Sequence, residues 1–401
     1  MKGGKWLAIL AAASLLAGCK GFWDLPAGSS NGGGGGTGNS SGVFYVANQA
    51  TFQVAAYSIV SGKLTAVSGS PYSLGTSVAP RSLAVSPSAN FLYAGTLAGG
   101  IFLFSIDSSG ALTIGNNGQA ISADLAFAMQ VDPSGKWLVD AFPNLNGGIQ
   151  VNAIPITSTG ALDLTRTEQI PAAFAGASVN DLVFSPDGGR VFVAAGTNGT
   201  IVIPFASTSS APLNVSSALT IQPLHQGGSA LSVAVDPNSS PRLFYVGEVL
   251  GNSSGNSGGL RVFNYSSLSG GTLTQAGGSP LDTGGTAPNA ILPIASGSYV
   301  YVASGKGTSQ GVIQGYAITT GGTTAAPTYT LAAAGSSVSA GTLPSGLAED
   351  NQSQYVLEIN SGGSPDLAAY TVSSSGTLTS ALTSATGTDP VQASAIVALP
   401  K

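Results

Sequence analysis

The sequence predicts an all-β protein, a seven-bladed β-propeller of four-stranded blades whose ring is closed by the C-terminal strand. Three observations lead to this prediction. Only 7% of the 401 residues are charged, 43% are hydrophobic and 57 are glycine, a composition that suits strands and tight turns better than surface helices. One strand–turn–strand phrase recurs at intervals of 46 to 58 residues. The chain also carries an incomplete unit at each end.

The repeating phrase is clearest at residues 79–96, "APRSLAVSPSANFLYAGT". Its apolar flanks surround a Ser-Pro-Ser-Ala-Asn turn, a pattern typical of two short strands joined by a reversal. A second pair of strands follows, as in "GIFLFSIDSSGALTIG" at residues 100–115. This period in an all-β chain indicates propeller blades, each with an inner strand A followed by strands B, C and an outer D. The aligned units begin at Arg81, Phe127, Asn180, Leu231, Asn289, Ser345 and Val391.

The two chain ends complete one another. Strands B, C and D of a first blade are predicted at 42–48, 54–60 and 63–67, but the place of its strand A falls in a glycine-rich segment. At the other end, "DPVQASAIVALP" at 389–400 has the pattern of a strand A that starts at Val391. The C-terminal strand is therefore expected to lie innermost in blade one, which removes an exposed sheet edge. The propeller domain is predicted to span residues 43–401.

The N-terminus predicts export. Lys2 and Lys5 precede an apolar run that is too short to span a membrane, so residues 1–18 are predicted to be a signal peptide. The run ends in Leu-Ala-Gly-Cys, which resembles the bacterial lipobox, and Cys19 is the one cysteine of the chain. The resemblance implies that Cys19 carries a lipid. An ordinary secretory signal is the alternative.

Residues 19–42 are predicted to be the lipidated cysteine and a Gly/Ser-rich tether. As a flexible coil, the tether would hold its ends about 25 Å apart. We therefore expect a lipid-anchored protein of the cell envelope. Lys20 takes the place of the aspartate that commonly retains lipoproteins at the inner membrane, which favours the outer membrane in a bacterium with two membranes.

Charge and composition exclude several function classes. Acidic residues exceed basic ones by 17 to 12 and no basic cluster occurs, so nucleic acid is not an expected partner. One histidine, and no cluster of histidine, cysteine or paired carboxylates at ligand spacing, predict no metal and no cofactor. We expect a monomer that contacts the membrane through its lipid.

The phrases that build the repeat resemble a known family. They are "YVAN" at Tyr45–Asn48, "YVAS" at Tyr301–Ser304, the turns "SPSAN", "DPSGK" and "SPDGG", and the phrase "SSSGTLT". Together they resemble the bacterial lactonase-like propellers, also called YVTN-type repeat proteins, over residues 43–401. The resemblance implies a seven-bladed propeller and a lactonase of the six-phosphogluconolactonase type, with basic and acidic residues around its site.

Propellers bind ligands at the mouth of the central channel, where the loops that enter the A strands converge. The seven aligned residues and the residues after them should form this ring, and only Arg81 and Asp181 among these fourteen are charged. His225 lies six residues ahead of Leu231, in a blade nearly opposite Arg81, so we interpret it as a surface residue, with a general base as the alternative. The predicted binding residues are Arg81, Asn180, Asp181, Asn289 and Gln392, and the catalytic candidates are Arg81, Asp181 and His225.

Two functions of different classes follow. The first is a lipid-anchored binding or scaffolding module that engages an envelope protein or a glycan, which suits the nearly neutral ring and the single histidine. The alternative is a lactonase, in which Arg81 holds an anionic group and Asp181 or His225 aids the attack of water.

Replacement of the predicted lipid-bearing residue tests the anchor. Cys19→Ala should leave an unlipidated precursor, because two or more acyl chains give stable attachment at about 0.8 kcal/mol per buried methylene and the variant has none. Metabolic labelling with a palmitate analogue and membrane fractionation measure this. A variant that still fractionates with membranes as a lipoprotein of mature size would contradict the prediction.

Overall fold

The computed structural model describes residues 40–400 except 61, 145–146, 173–177, 252–256, 271, 325, 364 and 384–389. The predicted signal peptide, Cys19 and most of the tether lie outside these residues. Within them the chain forms 29 strands and four short 3₁₀ helices, and no helix is long and apolar enough to cross a membrane. The fold is all-β and propeller-like, as predicted.

The strands form six antiparallel sheets, of which one has eight strands. This large sheet contains two units of the repeat, so we number seven units as blades 1–7. Blade 1 contains β1 (Ser40–Asn48), β2 (Gln53–Val60), β3 (Lys63–Ala66) and the short β4 (Tyr72–Ser73). Blade 2 contains β5 (Pro80–Val85), β6 (Phe91–Thr96), β7 (Ile101–Ile106) and β8 (Leu112–Ile114). Blade 3 contains β9 (Ala128–Val131), β10 (Trp137–Pro143), β11 (Ile149–Pro155) and β12 (Glu168–Ala172). Blade 4 contains β13 (Asp181–Phe184), β14 (Arg190–Ala194), β15 (Thr200–Pro204) and β16 (Leu219–Ile221).

The remaining groups follow the same order. Blade 5 contains β17 (Ser229–Val235), β18 (Leu243–Val249), β19 (Gly258–Asn264) and β20 (Leu281–Asp282). Blade 6 contains β21 (Ala287–Pro293), β22 (Tyr299–Lys306), β23 (Ser309–Thr323) and β24 (Ala326–Ala333). Blade 7 contains β25 (Val338–Glu349), β26 (Tyr355–Gly362), β27 (Leu367–Val372) and β28 (Leu378–Thr383), and β29 (Ala393–Ala398) ends the chain. The 3₁₀ helices are η1 (Asn116–Gly118), η2 (Leu164–Arg166), η3 (Val215–Ser217) and η4 (Tyr265–Ser269).

The C-terminal strand β29 lies innermost in blade 1, where it pairs antiparallel with β1. The predicted start at Val391 is wrong, because β29 begins at Ala393. Tyr45 lies opposite Val397, as Tyr93 lies opposite Ala84, so Ser394 occupies the position that Arg81 holds in blade 2. The predicted position is three residues off because no turn follows β29. In the other blades, the turn after the inner strand identifies the register.

The two ends of the inner strands define two faces of the molecule. The mouth face holds the residues at which the inner strands begin, and the turn face holds the turns between the first and second strands of each blade. Gly42 lies at the turn face, where its N–H donates to Asn351 Oδ1 in the turn of blade 7 at 3.0 Å. The strand β1 begins at Ser40, three residues before the predicted boundary, so the chain enters the fold at the turn face.

In three of the blades, a tyrosine of the repeat bonds to the following blade near the turn face. Each hydroxyl donates to the carbonyl of a glycine in the following turn between strands C and D: Tyr45 to Gly110 (3.0 Å), Tyr93 to Gly160 (2.8 Å) and Tyr301 to Gly376 (2.9 Å). These glycines have φ of 83°, 79° and 79°, which favours glycine. A Cβ there would also meet a side chain of the neighbouring blade at 2.3 to 2.6 Å. In the contacts of Tyr45 and Tyr301, the repeated "YVA" and "SSG" phrases supply the donor and the acceptor.

A second series of ties, which we call the belt, links the inner strands at the mouth face. In each tie a side chain at the start of one inner strand donates to a backbone carbonyl at the start of the next. The described residues show six such bonds: Ser394 to Pro80 (3.0 Å), Ser82 to Ala126 (2.7 Å), Asn180 to Ala230 (2.8 Å), Ser232 to Pro288 (2.7 Å), Asn289 to Pro344 (2.9 Å) and Ser345 to Ala393 (2.6 Å).

The hydrophobic core lies between neighbouring blades. Tyr45, Leu74 and Phe104 pack together between blades 1 and 2, and Phe44 and Leu357 belong to the cluster between blades 7 and 1. Successive residues of β1 thus face opposite neighbours, as the two-residue period of a strand requires. Blade 1 is buried on both sides only while β29 and both neighbours are in place.

Removal of the last strand tests its contribution. A chain without residues 389–401 should aggregate or lose cooperative unfolding, because the deletion exposes the edge of β1 and its apolar neighbours. Size-exclusion chromatography and urea unfolding measure this. A truncated protein as soluble and as stable as the parent would refute a stabilising role for β29.

A single serine tests the belt. Ser232 is fully buried, so Ser232→Ala should lower the free energy of unfolding by about 1–2 kcal/mol, since the Pro288 carbonyl loses its donor. Urea unfolding gives the difference, and Ser210→Ala at an exposed position is the matched control. Equal stability of the two variants would mean that the belt does not stabilise the fold.

Candidate functional site

Most of the site residues predicted from the sequence lie at the mouth face. Arg81 lies in β5, Asp181 in β13 and Asn289 in β21, each at the beginning of an inner strand. The belt joins these strand ends laterally, which brings residues from distant parts of the sequence to one opening. Gln392 lies outside this register, because Ser394 takes the position predicted for Val391.

Asn180 and Asn289 are members of the belt. Their amide nitrogens donate to Ala230 and Pro344 of the next blade at 2.8 and 2.9 Å. Both side chains are half-buried, and part of their hydrogen-bonding capacity serves contacts between blades. The sequence does not distinguish this role from ligand binding, because the acceptor lies about 50 residues away in the chain.

Gln392 is exposed and has φ of 56°. Its N–H donates to Asp366 Oδ2 at 3.1 Å, which links blade 7 to the approach of β29. The backbone at this position thus fixes the chain before the last strand. Leu343 has the same conformation at the equivalent position of blade 7, with φ of 55°.

Arg81 is a half-buried cation at the mouth. Partial burial lowers the pKa of its guanidinium, and the negative charge of Asp181 opposes that change. The group remains protonated at neutral pH. Among the described residues its side chain has no hydrogen bond and no ion pair, so its donors are available to an acceptor from outside.

Asp181 is fixed by two backbone amides. Its Oδ1 accepts from the N–H of Leu182 at 2.8 Å, and its Oδ2 accepts from the N–H of Val233 in blade 5 at 3.0 Å. Burial raises the pKa of Asp181 to about 6, although both hydrogen bonds and the charge of Arg81 lower it. A carboxyl group with this pKa is largely ionised at neutral pH and can still be protonated during a reaction.

Arg81 and Asp181 come from blades 2 and 4 and interact electrostatically without a direct ion pair among the described contacts. A similar contact lies at the other end of β13, where Gln130 Oε1 of blade 3 accepts from the N–H of Phe184 at 2.6 Å. Gln130 and Asp181 each satisfy an inner-strand amide of the next blade. Gln130 was not predicted, because nothing in the sequence shows that the backbone N–H of Phe184 needs an acceptor from the neighbouring blade.

His225 is exposed in the loop that precedes β17. The backbone of this loop contacts a buried ion pair, in which Arg261 Nη1 and Glu248 Oε2 are 2.9 Å apart. Arg261 also donates to the carbonyl of Gln222, and Glu248 accepts from the N–H of Leu224. The imidazole has no hydrogen bond to a described residue, as expected for a surface position. The ion pair could not be predicted from the sequence, because its members lie in separate strands.

The described residues contain no group of three histidine, cysteine, aspartate or glutamate side chains that could hold a metal ion. A cation without a protein partner and a carboxylate with a raised pKa can polarise a carbonyl and accept a proton from water.

Comparison with known proteins gives matches at the level of structure. No protein-family model matches the chain, and no curated protein sequence matches it. A Bacteroides uniformis protein assigned as a 6-phosphogluconolactonase is 16% identical, with a TM-score of 0.66 over 89% of this chain and 99% of that chain. A Bacteroides fragilis protein with the same assignment is 16% identical, with a TM-score of 0.66 over 91% of this chain and 99% of that chain.

A third solved structure is the periplasmic gluconolactonase of Pseudomonas aeruginosa. It is 18% identical, with a TM-score of 0.66 over 89% of this chain and 99% of that chain. At these identities the likeness concerns the fold, and it confirms that the chain has the lactonase-like propeller fold that the repeat phrases implied.

Proposed function

We propose that this protein hydrolyses a lactone ring at the mouth, with Arg81 holding the carbonyl oxygen and Asp181 acting as general base. The proposal rests on one observation: a guanidinium without a hydrogen-bond partner and a carboxyl group of pKa about 6 lie at the same opening and interact electrostatically. The lactonase assignments of the similar structures add support, and they favour this alternative over a binding or scaffolding module.

The reaction needs no group beyond these two side chains and water. Asp181 takes a proton from water as the water oxygen forms a bond to the lactone carbonyl carbon. Arg81 donates hydrogen bonds to the carbonyl oxygen, on which negative charge develops. When the ring C–O bond breaks, Asp181 returns the proton to the leaving oxygen, and the product is a hydroxy acid.

We also infer that the seven blades form a closed ring in an exported, lipid-anchored protein. Each inner strand contacts the inner strand of the next blade, including β25 with β29 and β29 with β5, which supports closure. The periplasmic location named for the Pseudomonas aeruginosa neighbour supports export. Anchoring through Cys19 rests on the lipobox pattern.

Two substitutions test the proposed site. Arg81→Ala and Asp181→Asn should each lower kcat/KM for lactone hydrolysis by about 10²–10³-fold, as is typical when an oxyanion donor or a general base is removed. A pH-stat assay of purified residues 40–401, corrected for spontaneous hydrolysis, measures the rates. Arg166→Ala is the control, because Arg166 is exposed and paired with Asp163.

The pH profile gives a second readout of the same site. The base form of Asp181 predominates above its pKa, so kcat/KM should rise through about pH 6 and level off above it. Asp181→Asn should abolish this rise. Equal rates for the parent and both variants on every lactone would contradict the proposal.

A further inference from the structure

The mouth carries an exposed apolar arc on blades 7, 1 and 2, and the apolar ring residues Phe127 and Leu231 on blades 3 and 5 are half-buried. The apolar arc consists of three exposed side chains on consecutive blades: Leu343 of blade 7, Val391 before β29 and Leu97 of blade 2. Their exposed fractions are 43%, 48% and 37%. The polar arc lies across blades 4–6 and contains Ser178, Asp181, Ser229 and Asn289.

The apolar arc lies on the three blades that lead from blade 7 to Arg81 in blade 2. Leu343 directly precedes Pro344, and Val391 lies two residues before Ala393, so both stand next to carbonyls that accept belt bonds. The N–H of Leu97 donates to the carbonyl of Ala79 at 3.3 Å, two residues before Arg81. The three side chains therefore flank the side of the opening that leads from Arg81 back to blade 7.

Leu343 is exposed at an energetic cost. Its φ of 55° is the left-handed conformation, which glycine or asparagine adopts more easily than leucine. An exposed leucine also gains little from burial within the protein. Neither the backbone nor the core thus accounts for a leucine here, whereas an apolar ligand that covers it would.

The charge of the mouth limits the polar part of the substrate. Arg81 is the one cation among the described residues at which the inner strands begin, and Asp181 balances it; Lys306 lies at the same face in the hairpin of blade 6, three blades away from Arg81. The Arg261 guanidinium is buried against Glu248 and serves the loop beneath His225. A phosphate dianion would meet one guanidinium and an opposing carboxylate, so the mouth suits an uncharged head group.

We propose that the substrate is an uncharged lactone that carries an apolar substituent. The ring lies between Arg81 and Asp181, and the substituent lies along Leu97, Val391 and Leu343. This inference rests on the proposed lactone hydrolysis and adds the substrate class. It differs from a sugar-phosphate lactone in both the charge and the apolar chain.

A homologous substrate series tests the inference. Purified residues 40–401 are assayed with γ-butyrolactone, γ-hexalactone and γ-decalactone, and with glucono-δ-lactone and its 6-phosphate. We expect kcat/KM to rise along the alkyl series by up to about four-fold for each methylene that leaves water. The phosphorylated lactone should be the poorest substrate.

Variants of the apolar arc give the second arm. Leu343→Asn with Val391→Ser should lower the ratio of kcat/KM for γ-decalactone to that for γ-butyrolactone on the order of tenfold. Asparagine tolerates the left-handed conformation, so the thermal midpoint should not fall. Leu164→Ser is the control, because Leu164 is 50% exposed on η2, outside the mouth.

The outcomes separate the two proposals. Turnover that is flat along the alkyl series, or highest for a sugar lactone, would overturn the substrate class and leave lactone hydrolysis standing. Absence of turnover on every lactone would overturn both. Self-association that the double variant abolishes, with an unchanged substrate ratio, would assign the apolar arc to a contact between two copies instead.

Discussion

The hydrogen bonds between neighbouring blades are the constraint on which the rest of this structure depends. A small four-stranded sheet cannot bury both of its faces alone, so each blade needs a neighbour on either side. The belt fixes the inner strands at one face, and the tyrosine–glycine contacts fix the blades near the other. Charged side chains add further bonds between blades, as Arg242 of blade 5 does with the carbonyl of Gly297 in blade 6.

The same constraint positions the candidate site. Asp181 reaches the N–H of Val233 because blade 5 is held against blade 4, and this contact fixes the orientation of the carboxylate. The arrangement has an energetic consequence. A carboxyl group whose pKa is raised by burial favours folding when protonated, so this group makes the folded state less stable as the pH rises through about 6. This loss of folding free energy occurs at the residue that we propose as the general base.

The sequence was informative where the determining residues are close together in the chain, in turns and within single strands. It did not reveal the ion pair of Glu248 and Arg261, which joins two strands of blade 5. The turn residues and the two-residue apolar period predicted the strands, and the incomplete units predicted that the last strand joins the first blade. The register of β29 was missed by three residues, because no following turn anchors it. Arg81 and Asp181 stood out as the charged residues of a neutral ring, although only the fold shows that they interact.

Contacts between repeats were beyond the sequence. The amides of Asn180 and Asn289 have the same appearance in the sequence whether they meet a ligand or a neighbouring carbonyl. The exposure of Leu343 follows from a left-handed backbone that a leucine does not suggest. Such features depend on where the next blade places its backbone.

The contact between Gly42 and Asn351 has a consequence for how the proposed lactone substrate would arrive. Because the chain enters at the turn face, an anchor at the predicted Cys19 would attach the disc to the membrane by the face opposite the mouth. The opening would then face the surrounding aqueous phase. Substrate would be captured by diffusion from solution, and the hydroxy acid would be released to the same side without passing the lipid head groups.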